Sequence, residues 1–241
     1  GFYTIGIRGN TIFYHDKNRL NYKLQFSSKP LDYWGVGYNN GASDRNIEYY
    51  ENFYRIDLDY LHRLARNFYG GFQAGFHYVK GRGKGRYTRE DLIAMTNGQR
   101  VQYNYAGIGA VLEYDSRDFA PNPYRGLYVS GSVMFYPEVL GNCDNNLWKA
   151  EFAASTYQRL WKTGILAAEL RGEFNSQETP WPFLARMGGN ERMRGYYEGR
   201  YTDVNLITLQ VELRQRIWRR ISGVVWGGAG NVFPSFGEFS W

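Results

Sequence analysis

Long hydrophobic runs, cysteine and histidine are what this 241-residue chain has least of. No apolar stretch approaches the ~18–20 residues that a membrane-spanning helix needs, which excludes a helical membrane protein. The single cysteine, Cys143, excludes a disulfide framework. Its setting, Gly-Asn-Cys-Asp-Asn, reads most simply as an exposed loop thiol. The three histidines, His15, His62 and His77, lie on separate segments, and none stands beside cysteine or carboxylate at metal-ligand spacing. The Gly-rich run at 81–85 lacks the spacing of a phosphate-binding loop and does not join a strand to a helix. The residues therefore point to no enzyme, no metal and no cofactor. Proline is scarce as well, with 7 residues against 29 glycines.

What is present is charge of both signs and an excess of aromatic rings. Lys and Arg number 29 and Asp and Glu 23, for a formal net charge of +6. The basic residues are spread singly between apolar neighbours. The tightest group, Lys80-Gly-Arg82-Gly-Lys84-Gly-Arg86, sits in a Gly-rich loop and reads as a solvated segment. No nucleic-acid-binding module accompanies it, so nucleic acid is not expected as a partner. A mean hydropathy of −0.56 suits a soluble protein. It suits a membrane β-barrel equally, because such a barrel alternates its apolar residues with polar lumen residues.

The dominant pattern has period 2. In Tyr54-Arg55-Ile56-Asp57-Leu58-Asp59-Tyr60 one parity is apolar or aromatic and the other is charged. Leu209, Val211 and Leu213 interleave with Gln210, Glu212 and Arg214. Leu166, Ala168 and Leu170 interleave with Glu169 and Arg171. Trp148, Ala150 and Phe152 interleave with Lys149 and Glu151, and Tyr22, Leu24 and Phe26 with Lys23 and Gln25. Successive side chains on a strand point to opposite faces, so each segment is a strand with one apolar and one hydrophilic face. No stretch gives comparable support for a helix. The pattern predicts twelve strands, near 3–14, 20–28, 31–39, 49–61, 66–79, 101–114, 125–137, 146–160, 163–175, 203–217, 221–233 and 235–241. Many span about 11–15 residues, whereas globular strands cluster near ~5–6, and a tilted strand crosses a bilayer with ~9–11.

The expected connections alternate in length. Short ones fall at Ser28-Lys29-Pro30, 62–65, Trp161-Lys162 and 218–220, and longer ones at 40–48, 80–100, 138–145 and 176–202. One connection on the short side, 115–124, is long. Tight turns at one end and long loops at the other describe an outer-membrane barrel. Aromatics also gather near strand ends, at Tyr49-Tyr50, Phe53-Tyr54, Phe135-Tyr136, Trp161 and Trp218, as interfacial girdles require. A soluble β-sandwich or lipocalin-like barrel would turn the apolar face inward, and parity alone does not tell in from out. Strand length, loop alternation and aromatic excess favour an all-β, transmembrane, antiparallel up-and-down β-barrel.

The segment Gly188-Gly189-Asn190-Glu191-Arg192-Met193-Arg194-Gly195-Tyr196, inside the longest connection, carries a resemblance. It is similar to the Omp85 outer-membrane assembly and translocation barrels, the bacterial surface antigen group that includes the BamA and TamA types. Their sixth extracellular loop folds into the lumen and bears a hydrophobic-Arg-Gly-aromatic tetrad, matched here by Met193, Arg194, Gly195 and Tyr196. Two further stretches match in order and spacing. Tyr114-Asp115-Ser116-Arg117-Asp118, followed by Pro121, Pro123 and Arg125-Gly126, resembles the family's periplasmic turn and accounts for the long connection at 115–124; Asp115, Arg117, Asp118 and Gly126 are its motif residues. Gln210-Val211-Glu212-Leu213-Arg214 resembles the glutamate-bearing strand, and Trp226-Gly227-Gly228-Ala229-Gly230 stands where the family has aromatic-x-Asp-x-Gly. Together these cover roughly residues 101–233.

A guanidinium inside a barrel has five donors and stays charged, so it needs acceptors on the wall. Parity puts Glu212 on one side with Gln210, Arg214 and Arg216, taken as the lumen, and Arg194–Glu212 is the expected loop-to-wall pair. The resemblance implies an acid at 228, where this chain has Gly228, so either Glu212 alone or backbone carbonyls must substitute. Gly195 allows a turn without a Cβ penalty, and Tyr196 is expected to pack on Gly228 and Gly230, beside Trp226.

The resemblance implies a sixteen-stranded barrel preceded by periplasmic POTRA domains, with eleven strands before the tetrad and five after. The expected strands number nine and three. The chain is therefore expected to be a single outer-membrane β-barrel domain over 1–241, incomplete at both ends and without POTRA domains, or else a shortened twelve-strand relative. By resemblance it is an insertase or translocase of a Gram-negative-type outer membrane. It would act non-covalently, by offering a strand edge to an incoming strand. Its partners would be outer-membrane lipids and lipopolysaccharide, client outer-membrane proteins and accessory assembly subunits. A passive porin-like or transport barrel and a soluble β-binding protein remain as alternatives.

Overall fold

Residues that alternate between apolar and charged form long strands, and consecutive strands pair with one another. The computed structural model describes residues 2–189 and 192–239. Ten strands make one antiparallel sheet in the order β1-β2-β3-β4-β5-β6-β7-β8-β11-β12. They are β1 (Tyr3–Phe13), β2 (Asn18–Tyr33), β3 (Ile47–Ala65), β4 (Phe68–Gly83), β5 (Gln102–Asp115), β6 (Gly126–Tyr136), β7 (Leu147–Trp161), β8 (Gly164–Asn175), β11 (Asn205–Trp218) and β12 (Ile221–Phe233). The two remaining strands, β9 (Ala185–Met187) and β10 (Tyr201–Asp203), form a separate small hairpin inside the longest loop.

The all-β, up-and-down class stands, but the strands are apportioned differently from the expectation. Segments 20–28 and 31–39 are one strand, β2, which runs through Ser28-Lys29-Pro30 without turning. Pro30 sits opposite Tyr50 on β3, while the pairing of β2 with β1 ends at Ser28. Its missing N–H therefore faces no neighbouring strand, the edge position at which a sheet tolerates proline. The turn lies at 14–17 instead, where Tyr14, His15 and Asp16 all take positive φ. The expected strand at 235–241 contains a 3-10 turn at Phe236–Glu238, and its residues 240 and 241 lie outside the described residues. Eight sheet strands, not nine, precede the long loop.

With these changes the alternation of connections becomes regular. Tight turns at 14–17, 66–67, 162–163 and 219–220, with the structured turn 116–125, occupy one rim, and loops 34–46, 84–101, 137–146 and 176–204 occupy the other. The sheet curls around a cavity of about 760 Å³ lined by Arg55, Asp57, Asp59, Glu113, Glu151 and Arg171, among others. Phe72 is 75% exposed, Val225 73%, Leu58 43% and Leu170 38%, on the opposite parity. The apolar face thus points outward and the charged face inward, the reverse of a soluble β-barrel. A ladder of rings, Tyr3–Phe26–Tyr54–Tyr78, crosses the outer face of β1 to β4 with centroids 4.5–5.3 Å apart.

Lipid-facing parity has a measurable consequence. Ile56→Arg, in the middle of β3, is expected to destabilise the fold by roughly 2–4 kcal/mol, as for a cation near a bilayer midplane. Denaturant unfolding in lipid vesicles measures this, and an effect near zero would mean that the face does not meet hydrocarbon.

Candidate functional site

The loop 176–204 between β8 and β11 folds back into the curl of the sheet. Its ends are fastened by side-chain amides, with Asn175 Nδ2 donating to Val204 O at 2.7 Å and Asn205 Nδ2 to Phe233 O at 3.2 Å. Its first part, a 3-10 turn at Trp181–Phe183, inserts aromatic rings beneath the other long loops. Trp181 is fully buried. Its indole Nε1 donates to Arg100 O at 2.9 Å, and its ring lies 5.2 Å from Tyr33 and 5.5 Å from Tyr49. Phe183 meets Tyr105 edge-on at 4.0 Å, and Tyr105 meets Tyr136 at 4.3 Å. Leu92 joins them from α1 (Arg89–Met95), whose start is secured by a Thr88–Asp91 capping box. The long-loop end of the barrel is thereby closed by a dry dome.

Beyond the dome the loop presents three arginines to the wall. Arg186 Nη2 donates to Glu51 Oε2 of β3 at 2.9 Å and to Pro182 O at 3.2 Å. Burial opposes its charge, but the Glu51 carboxylate and the Tyr49 hydroxyl hold its pKa above the ordinary arginine value. Arg192 pairs with Glu173 of β8 and, at 3.3 Å, with Glu151 of β7. Lys149 holds both carboxylates from the same face, at 2.7 and 3.3 Å. Arg194 Nη2 donates to Glu212 Oε2 of β11 at 2.5 Å, and its backbone N–H to Gln210 Oε1 at 3.3 Å. Glu212 also accepts from Arg214. Each guanidinium needs acceptors that lipid cannot supply, and each finds them on a different part of the wall.

The tetrad residues divide their contacts unevenly. Gly195 has φ +102°, so a side chain there would strain the turn. Met193 also has positive φ, 81°, a strain of about 1–3 kcal/mol for a non-glycine residue, and it is held by burial. Met193, not Tyr196, packs on the glycines of β12. A Cβ added at Gly228 would stand 3.2 Å from Met193 Sδ, and one at Gly230 3.1 Å from Met193 Cγ and 3.0 Å from Met187 Sδ. Tyr196 is instead exposed, with its ring 6.0 Å from Tyr201. A long thioether fills the shallow groove that two inward glycines leave, whereas a phenol on the outer side of the Gly195 turn points away from it. Trp226, opposite Glu212 in the ladder, lies beneath the Arg194 guanidinium at 5.4 Å. Glycine at 228 leaves room for Met193 where an acid would collide with it, and the carboxylate that meets Arg194 comes from Glu212. Asn190 and Glu191 of the same motif lie outside the described residues.

Arg186, Arg192 and Trp181 were not singled out by sequence reasoning. A signal existed for the arginines: Glu51, Glu151 and Glu173 all occupy inward parity, and such carboxylates need cations. Nothing in the one-dimensional pattern says which loop supplies them. Cys143, expected to be exposed, lies in loop 137–146 but is buried in the aromatic cluster of the dome, and that burial pushes its thiol up to about 11.

The turn 115–126 lies at the opposite rim. Arg117 forks onto Asp115 at 2.8 and 2.9 Å and lies 4.4 Å over the Tyr128 ring. One oxygen of Asp118 accepts from the N–H groups of Phe119, Tyr124 and Arg125 at 2.9–3.3 Å. Gly126 has φ +117°, and a Cβ there would stand 2.5 Å from Ser116 O. Only glycine lets β6 leave the turn so close to the chain that enters it.

A membrane β-barrel with an inward loop salt-bridged to its wall is the class that fold and site define. The Omp85 superfamily domain matches residues 8–241, and the chain belongs to that superfamily. Its fold is similar to that of BamA from Haemophilus ducreyi lacking POTRA domains 1–3, at 12% identity and a TM-score of 0.61, over 96% of this chain and 49% of that one. It is also similar to CdiB from Acinetobacter baumannii, at 13% identity and a TM-score of 0.58, over 98% of this chain and 40% of that one. The chain spans about half the length of these proteins or less. No curated protein sequence matches it.

Two outcomes follow from the site. Glu51→Ala leaves Arg186 buried without its carboxylate, a change that typically costs about 3–5 kcal/mol; denaturant unfolding should register the loss, and limited proteolysis should find new cuts in 176–204. The three backbone donors, that of Tyr124 foremost, hold the Asp118 carboxyl below the usual aspartate value. A depressed carboxyl contributes stability that is present above the unfolded-state pKa, near ~4, and is lost as pH falls through the folded value. Asp118→Asn should therefore flatten the stability profile below about pH 4, and an unchanged profile would contradict this role.

Proposed function

We propose that this protein acts in a Gram-negative-type outer membrane to insert or translocate other outer-membrane proteins, by non-covalent means. The observation that carries the reading is the lumenal loop, in which Arg186, Arg192 and Arg194 meet carboxylates on β3, on β7 and β8, and on β11. A loop joined at three places steadies a curved wall by tying β3 to β7, β8 and β11 across the space that the sheet encloses. Membership of the Omp85 superfamily supports the same reading. In it, Met193, Gly195 and Tyr196 shape the loop tip that presents Arg194, while Glu212, Trp226, Gly228 and Gly230 form its seat. Asp115, Arg117, Asp118 and Gly126 keep the opposite rim in register.

The work itself would be strand-edge templating. A weakly paired edge offers unsatisfied N–H and C=O groups to an incoming strand, and an unpaired group in hydrocarbon is costly enough to drive capture. The partners are then client barrels, with outer-membrane lipids and lipopolysaccharide around them and accessory subunits beside them. The dome over the long-loop end argues against a passive pore, since Trp181, Phe183 and Tyr105 fill the path that solutes would take.

The full-length protein in lipid vesicles, given an unfolded client barrel, tests this directly. Arg194→Ala should slow client folding about tenfold, as for loss of a charge-assisted hydrogen bond worth ~1.5 kcal/mol, with little change in surface display. Client folding at the wild-type rate would refute the role of Arg194. A steady open conductance without client folding would favour the pore.

A further inference from the structure

The cations of this protein are unevenly placed. The short-rim segments 14–17, 63–67, 115–125, 159–163 and 216–220 hold 10 basic and 3 acidic residues, leaving 19 basic and 20 acidic for the rest of the chain. The positive charge of the whole protein therefore resides on one rim. The three acids there are already engaged: Asp16 by Arg19 and Tyr69, Asp115 by Arg117, and Asp118 by backbone N–H groups.

The densest part lies where the turns 162–163 and 219–220 stand side by side, because β8 and β11 are neighbours. The Arg216 N–H donates to Thr163 O at 2.9 Å. Gln215 of β11 grips the first of these turns from the side, donating to Thr163 Oγ1 at 2.8 Å and accepting from Trp161 Nε1 at 2.7 Å. Around this joint Arg159, Lys162, Arg216, Arg219 and Arg220 are exposed, and none of them forms an ion pair among the described residues. Trp161, Trp218, Leu160, Ile217 and Ile221 are exposed beside them.

We propose that this patch binds the headgroup of an anionic phospholipid in the leaflet at the short-turn face. Guanidinium forks match phosphate oxygens bidentately, indoles belong at the level of the headgroups, and the aliphatic side chains lie where acyl chains begin. One phospholipid satisfies all three sets of groups, whereas an acidic soluble protein would leave Leu160, Ile217 and Ile221 uncovered. The inference rests on the transmembrane fold and not on the assembly role, and a failure of either leaves the other intact.

The test uses the full-length protein in micelles doped with equal amounts of phosphatidylcholine and phosphatidylglycerol, with retained lipid counted by native mass spectrometry. The wild type should keep phosphatidylglycerol in preference to phosphatidylcholine. Arg159→Ser, Arg216→Ser and Arg219→Ser together should weaken that retention by about fivefold per guanidinium, while lysine at the same three positions keeps the preference. Heat-shifted gel mobility confirms that each variant is folded. Arg45→Ser, Arg86→Ser and Arg89→Ser on the opposite rim should change nothing. No headgroup preference in the wild type, equal retention by the triple serine variant, or an equal loss from the opposite rim would each overturn the proposal. Binding of polyglutamate in place of lipid would assign the patch to an acidic protein instead.

Discussion

Hydrocarbon can solvate neither a charge nor an unpaired peptide group, and this structure is arranged around that constraint. Long antiparallel strands satisfy the peptide groups through ladders between neighbours. Alternation then sends the charged side chains at the middle of the strands to the face that the curl encloses. The apolar residues left outside, such as Phe72, Ile108 and Val225, would be an aggregation hazard in water and are an anchor in lipid.

Enclosing the charged face creates a second problem inside. Carboxylates such as Glu51, Glu173 and Glu212 are largely buried, and a buried charge is tolerated only when it is paired. Part of the pairing is local, as with Arg214 on Glu212 and Lys149 on Glu173. The rest comes from loop 176–204, whose arginines lie far from these residues in sequence. Wall and loop therefore depend on each other: the loop guanidiniums take their carboxylate partners from the wall, and without the loop Glu51 would lose the Arg186 cation while Glu173 and Glu212 would keep only Lys149 and Arg214. The glycines of β12 add the shape term, because Met193 and Met187 reach the wall only where no Cβ stands. This mutual dependence makes the loop a brace for the wall and links the architecture to the proposed assembly role.

The two rims solve different problems. At the long-loop end, Trp181, Phe183, Tyr105 and Leu92 form a dry closure, which suits a face that seals the interior. At the other end the turns are short, the aromatic residues lie outside, and among the described residues the cations have no carboxylate partners beyond those already used in the turns themselves. A rim of this composition is adapted to the boundary between headgroup and water.

Much of this was legible in the residues themselves. Period 2 located nine of the ten sheet strands, splitting only β2, and the inward parity of Glu212, because on a strand the direction of a side chain is a local property. The Asp115–Gly126 turn was anticipated only through the family resemblance, although its acceptors, donors and required glycine lie within a dozen residues. Where local signals competed, they misled. Pro30 read as a turn because only the neighbouring strand, ending at Ser28, shows that its missing N–H has nothing to meet. Cys143 read as an exposed thiol because the loop residues that cover it are distant in the chain. Tertiary structure alone decided which cation answers which acid: Arg186 reaches Glu51 across 135 residues, and Arg192 reaches Glu151 across 41. Those pairings depend on how far the sheet curls and where the loop turns back, both of which arise only when all the strands have come together.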